Sequence, residues 1–234
     1  DMDPAMAEEE IRAAFGGREA VPDPENADAG VEPYTERRAI VAHDPEVTQP
    51  QVGLMFVDEV AEPATDVGGL RRDIIWRLGT EAFNRRLAGK VDEGKARILG
   101  GGAFAQNLFG AMRFGQVSAA TESGKWREGL EDLTVEVRRA ELHGFSEQEM
   151  EIARESLLAS LEQIAEQEAT LPARVILSQM AQLIAAGETH TSPQQVLELT
   201  RKVMPYIRTG EVNAAFADIF DTSATTFLVQ LPTG

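Results

Sequence analysis

Val52-Gly53-Leu54-Met55-Phe56-Val57 is the stretch on which the fold turns. Val52, Leu54 and Phe56 alternate with Gly53, Met55 and Val57, so a strand over 52–57 has two fairly apolar faces and is expected in a central or covered position. Arg38–His43 reads as a strand before it, and Asp44-Pro45 and Pro50 break the chain between the two. Downstream, Leu70, Ile74 and Leu78, with Ile75, Phe83 and Leu87 on the adjoining stripe, predict a long helix over 67–88. Residues 96–104 and 112–121 read as a second pair of strands joined by a loop at 105–111. From 125 onward the period becomes helical. Trp126, Leu130, Leu133 and Val137 make one apolar stripe ending at Gly144. Ser146 and Glu149 form a capping box for a helix that carries Met150, Ala153, Leu157, Leu161 and Ile164. Helices at about 171–186, 193–205 and 209–220 follow, and 226–231 closes the chain as an alternating strand. Two strand pairs split by a helix, then clustered helices, then one returning strand predict an α+β fold: a mainly antiparallel sheet of about five strands with helices packed on it.

The 234 residues include 22 basic and 39 acidic side chains, a net charge of -17 that repels phosphate backbones, so nucleic acid is not an expected partner. No apolar run approaches the roughly 20 residues of a bilayer span, and no membrane partner is expected. Cysteine is absent, which excludes disulfides and thiol chemistry. Seven of the eleven prolines fall in 1–66, leaving the middle of the chain to regular structure. Asp3 and Pro4 start a short helix over 4–15 that Gly16-Gly17 stops. Residues 18–35, with Pro22, Pro24, Gly30 and Pro33, read as an exposed connector within one domain covering 1–234.

His43, His143 and His190 are the only histidines, and none has a second within ligand spacing, so each is expected to be structural or superficial. Glu147, Glu149 and Glu151, on a helix with Arg154 and Glu155, read as a solvated face with local ion pairs. Ser118 and Ser123 lack an activating context, and no G-x-S-x-G elbow exists. Gly100-Gly101-Gly102 after Ile98-Leu99 lacks the Gly-Lys-Ser/Thr or helix-opening pattern of a phosphate loop. A bulged strand, or one whose bare backbone admits another chain, suits it better. Arg71-Arg72 and Arg85-Arg86 read as the solvent edge of the long helix.

Several phrases, in order, resemble the insulinase (pitrilysin) family of zinc peptidases, and the chain is similar to the second, non-catalytic domain of that family's N-terminal half. Ile11-Arg12-Ala13-Ala14-Phe15-Gly16 after Asp1-Met2-Asp3-Pro4 resembles the family's helix running into Phe-Gly. Asp44-Pro45-Glu46 resembles the approach to its second strand, and Phe83-Asn84-Arg85-Arg86-Leu87 its N-x-R-L helix end. Leu142-His143-Gly144-Phe145-Ser146 with Glu149, Ala153-Arg154 and Leu157-Leu158 resembles its G-F-S/T-x-x-E phrase. The family's inverted zinc motif is missing, as is the tyrosine that accompanies an arginine in its C-terminal half: the chain's tyrosines are Tyr34 and Tyr206.

The resemblance implies a piece of a longer peptidase that holds no cofactor itself, the zinc belonging to the parent's catalytic domain. The implied partners are that catalytic domain, the parent's C-terminal half and an extended peptide substrate, and the implied compartment is periplasmic or secreted. Ile98-Leu99-Gly100-Gly101 resembles the strand that anchors substrate in insulin-degrading members, so Leu99, Gly100, Gly101 and Ala103 are the expected peptide-binding residues; no catalytic or metal-binding residue is expected. The alternative is an inactive interaction or subunit-interface module, and an inverted zinc motif upstream of Asp1 in the parent would select between the two. An independent hydrolase ranks last, for want of metal ligands or an activated nucleophile.

Overall fold

The computed structural model describes residues 3–19, 21, 29–108 and 110–233. Part of the connector predicted at 18–35, namely 20 and 22–28, lies outside the described residues, as do Asp1 and Met2 of the first phrase. The chain divides into two units, 1–30 and 31–234. In the first, α1 spans Pro4–Phe15, with Pro4 in its first turn and the Asp3 carboxylate accepting the Ala5 N–H; none of its residues is buried.

The second unit carries, in order, β1 (Arg38–Asp44), β2 (Gln51–Asp58), α2 (Val67–Asp92), β3 (Gly100–Leu108), β4 (Met112–Ala120), α3 (Trp126–His143), α4 (Glu147–Gln167), α5 (Ala173–Ala185), α6 (Pro193–Val203), α7 (Thr209–Ile219) and β5 (Thr226–Pro232). The five strands form one sheet in the order β1-β5-β2-β4-β3, antiparallel except for the parallel pair β1 and β5. β2 sits at its centre, as its two apolar faces require.

Val52, Leu54 and Phe56 of β2, Val117 and Ala119 of β4 and Val229 of β5 face the helices and join one core with Ile74, Leu78 and Phe83 of α2, Leu133 and Val137 of α3, and Met150 and Leu157 of α4. Phe216 centres this core. Its ring lies 5.5 Å from Phe83, 5.1 Å from Phe145 and 4.5 Å from Phe220, distances at which aromatic pairs add to plain area burial. The predicted capping box forms: the Ser146 hydroxyl accepts the Glu149 N–H while the Glu149 carboxylate accepts the Ser146 N–H.

Two boundaries and one buried position differ from the sequence reading. The strand expected at 96–104 is β3 at Gly100–Leu108, so most of the expected loop at 105–111 is strand. α2 continues to Asp92 rather than stopping at 88. Ile164, counted in the buried stripe of α4, is exposed.

Candidate functional site

β3 ends the sheet opposite β1, and among the described residues no strand pairs with its outer side. Asn84, on α2, reaches that side. Its Oδ1 accepts the Ala103 N–H at 2.6 Å and its Nδ2 donates to the Ala103 carbonyl at 3.1 Å, which is how a neighbouring strand would satisfy both groups. Ala103 therefore turns its backbone groups away from β4, and by the alternation of an antiparallel ladder Gly101 and Ala105 do the same. Leu99, just before the strand, breaks the alternation: its N–H turns back to the Ala120 carbonyl at 2.8 Å.

The three glycines hold different positions. A Cβ on Gly101 would stand 2.3 Å from the Ser118 carbonyl oxygen and 2.8 Å from the Ala119 Cβ, so this residue must be glycine for β3 to lie against β4. A Cβ on Gly102 would meet Asn84 Oδ1 at 3.1 Å, whereas one on Gly100 would meet nothing within 4 Å. Of the four residues singled out in sequence, Leu99 is 49% exposed and Gly100 opens onto space, while Gly101 is committed to β4. Ala103 is 6% exposed, with both backbone groups held by Asn84.

Sequence reasoning missed what positions this edge. Arg86, expected at the solvent edge of α2, has a side chain only 15% exposed. Its guanidinium grips both oxygens of Glu149 at 2.6 and 2.9 Å, donates to the Gly144 carbonyl at 2.9 Å and lies 4.6 Å from the centre of the Phe145 ring. Glu149, read as part of a solvated face, thus serves α4 as a cap and α2 as an anchor. Burial pushes its carboxyl up, but the bonds from Arg86 and from the Ser146 backbone and hydroxyl outweigh burial and bring its pKa down to about 2. Glu147, read with that same face, accepts the Thr209 hydroxyl at 2.7 Å. Asn213, on α7, clasps both backbone groups of Phe145 as Asn84 does those of Ala103. Gly144, at φ +65°, leaves no room for a Cβ beside Asn213. The phrases Phe83–Leu87 and Leu142–Ser146 are therefore the two sides of one joint between α2 and the start of α4.

His43 is exposed on β1, His143 ends α3 and His190 lies exposed between α5 and α6. Among the described residues no group of three His, Cys, Asp or Glu side chains could hold a metal ion, and no helix is long and apolar enough to cross a membrane. With its histidines dispersed in this way, the donor set of the described residues does not fit a zinc ion.

This architecture is that of the insulinase-family peptidase domains. No family model matches the chain, and no curated protein does. The solved structures similar to it include the first half of the periplasmic protease PqqL from Escherichia coli, with TM-score 0.86 and 17% identity over 99% of this chain and 49% of that one. A predicted insulinase family protease from Yersinia pestis superposes with TM-score 0.81 and 17% identity over 100% of this chain and 50% of the other. The inactive peptidase domain from Pseudomonas fluorescens does so with TM-score 0.65 and 15% identity, over 100% and 52%. The chain thus spans about half the length of these structures, and 26% of full-length PqqL.

Proposed function

We propose that residues 1–234 are a non-catalytic domain of a chambered insulinase-family zinc metallopeptidase. The domain packs on the catalytic domain and the C-terminal half of its parent, walls the cavity and anchors an extended peptide substrate by strand pairing along Leu99, Gly100 and Gly101, up to Ala103. The parent supplies the zinc, and its compartment is periplasmic or secreted, in line with the periplasmic protease among the similar structures. The likeness to an inactive peptidase domain supports a role without chemistry in this chain.

The observation that carries the binding role is the open position of Gly100 next to an outer strand edge that no strand among the described residues occupies. A bare backbone on an unpaired edge is what β-augmentation needs. Ala103, its groups already held by Asn84, closes the pairing stretch on the C-terminal side. Gly101→Val tests folding and not binding, because the new side chain would strike β4. The discriminating variant is Gly100→Val in the full-length parent: KM for long peptides should rise, KM for short peptides and the melting temperature should stay unchanged. Equal effects on long and short substrates would overturn the anchoring role.

A further inference from the structure

β1 is the other edge of the sheet, paired among the described residues with β5 alone. Ile40 and Val41 point to opposite faces, and they are 51% and 55% exposed, so among the described residues no helix of the second unit buries either side chain. Its sequence is Arg38-Ala39-Ile40-Val41-Ala42-His43-Asp44. The Arg38 N–H donates to the Thr225 carbonyl at 2.9 Å, as the parallel register Arg38↔Thr226 demands. Arg38, Ile40, Ala42 and Asp44 therefore turn their backbone groups toward β5, and Ala39, Val41 and His43 turn theirs outward.

We infer that β1 is a self-complementary edge that pairs antiparallel with β1 of a second copy of this chain, about a two-fold axis through Val41. Outward residues must face outward residues, and the registers centred on Ile40, Val41 and Ala42 all satisfy that rule. The Val41 register alone pairs all seven residues. It makes Val41–Val41 and the two Ala39–His43 pairs the hydrogen-bonded ones. It sets Arg38 opposite Asp44 at both ends, in non-hydrogen-bonded positions where side chains come closest. Centred on Ile40, Asp44 would face Glu36, a like charge; centred on Ala42, it would face Ile40. Ile40 then lies beside the second copy's Ala42, and Val41 beside its own counterpart. Within one chain Arg38 meets the exposed Glu36 carboxylate at 3.3 Å and lies 6.0 Å from the centre of the Tyr34 ring, and Asp44 accepts the Glu46 N–H at 2.8 Å; both charged groups remain accessible. An edge seven residues long buries less than the roughly 1,000 Å² of a permanent interface, so the association is weak and reversible.

The test is sedimentation of the 234-residue chain over a wide concentration range at about 0.15 M salt, where the Debye length of ~8 Å screens the repulsion between two acidic molecules. The mass should rise from 25.5 kDa toward that of a dimer. Val41→Pro removes the central outward N–H but no bond to β5, and should leave a monomer with an unchanged circular dichroism spectrum. Arg38→Asp or Asp44→Arg alone should weaken association roughly tenfold, and the two together should restore it. The chain has no cysteine, so Val41→Cys introduces the sole thiol. On oxidation it should give a disulfide-linked dimer, the paired Cα atoms standing ~5.5 Å apart, while Ala39→Cys should not. A chain monomeric at every concentration, a dimer indifferent to Val41→Pro, or a double charge swap that fails to restore pairing overturns the inference.

Discussion

At one edge of the sheet β3 lies against α2, and Asn84 reaches from that helix to fill both backbone groups of Ala103. At the other, β1 pairs with β5, has apolar side chains exposed on both faces and leaves the outward groups of Ala39, Val41 and His43 unpaired by any strand among the described residues. Strand composition does not account for the difference, since both carry small and apolar residues. The position of the long helix does: an edge beside α2 can be finished by a side-chain amide, and an edge beyond the helices cannot. Edge protection is thus a property of the layer above the sheet as much as of the strand.

The largest effect expected from breaking this arrangement is at Gly101. Gly101→Val forces a side chain into the Ser118 carbonyl and should cost about 3 kcal/mol, the upper range for overpacking, whereas Gly100→Val should stay within about 0.5 kcal/mol of wild type. Thermal unfolding of the two variants side by side checks both values. A similar loss in both would mean that the two glycines are not distinguished by contact with β4.

Next is the plug itself. Asn84→Ala strands the buried N–H and carbonyl of Ala103 and should cost about 1–3 kcal/mol. The Ala103 amide should also lose its protection from hydrogen exchange, which a general loss of packing on α2 would not single out.

Acid sharpens the comparison at smaller cost. The Glu149 carboxyl is held at about 2 when folded against an ordinary 4.5, so its contribution is present above pH 4.5 and is lost as the pH falls toward 2. Glu149→Gln should be less stable than wild type at neutral pH and flatten the fall in melting temperature over that acid range. Parallel curves for the two proteins would show that Arg86 does not hold the carboxylate.

The smallest effect is one of pattern. At concentrations low enough to keep the chain monomeric, β1 amides should alternate, with Ile40 and Ala42 slow to exchange and Ala39, Val41 and His43 fast. Uniform protection along β1 would place another group on its outer side.

Much of the fold is legible because burial writes period into sequence. β2, apolar on both parities, announces a central strand, and the stripes of α3 and α4 announce their buried faces. β3 begins four residues later than its sequence suggests because Gly100, Gly101 and Gly102 carry no alternation. Its second half, with Gln106 and Asn107, is also polar enough to pass for loop; Asn107 is there to clasp both backbone groups of Ala61. Arg86 and Glu149 look solvated in sequence for a different reason. They are 63 residues apart, and no local period reports a pairing across that distance. At the candidate edge, the sequence picks out the glycines but cannot say which of them meets β4 and which meets open space.

The Asn84 amide also bears on how many molecules can join. A sheet open at both edges can add copies head to tail without end, which is the geometry of a fibre; a sheet open at one edge can only meet its own likeness, and the assembly closes after a single step. With Asn84 seated on Ala103, β3 keeps only a short stretch before that residue for an extended peptide and cannot take a whole partner strand, so growth by copies of the sheet has one available direction and that direction consumes itself at the two-fold axis. One amide side chain on a helix therefore leaves β3 to a short peptide and limits edge-to-edge pairing between copies of this chain to two.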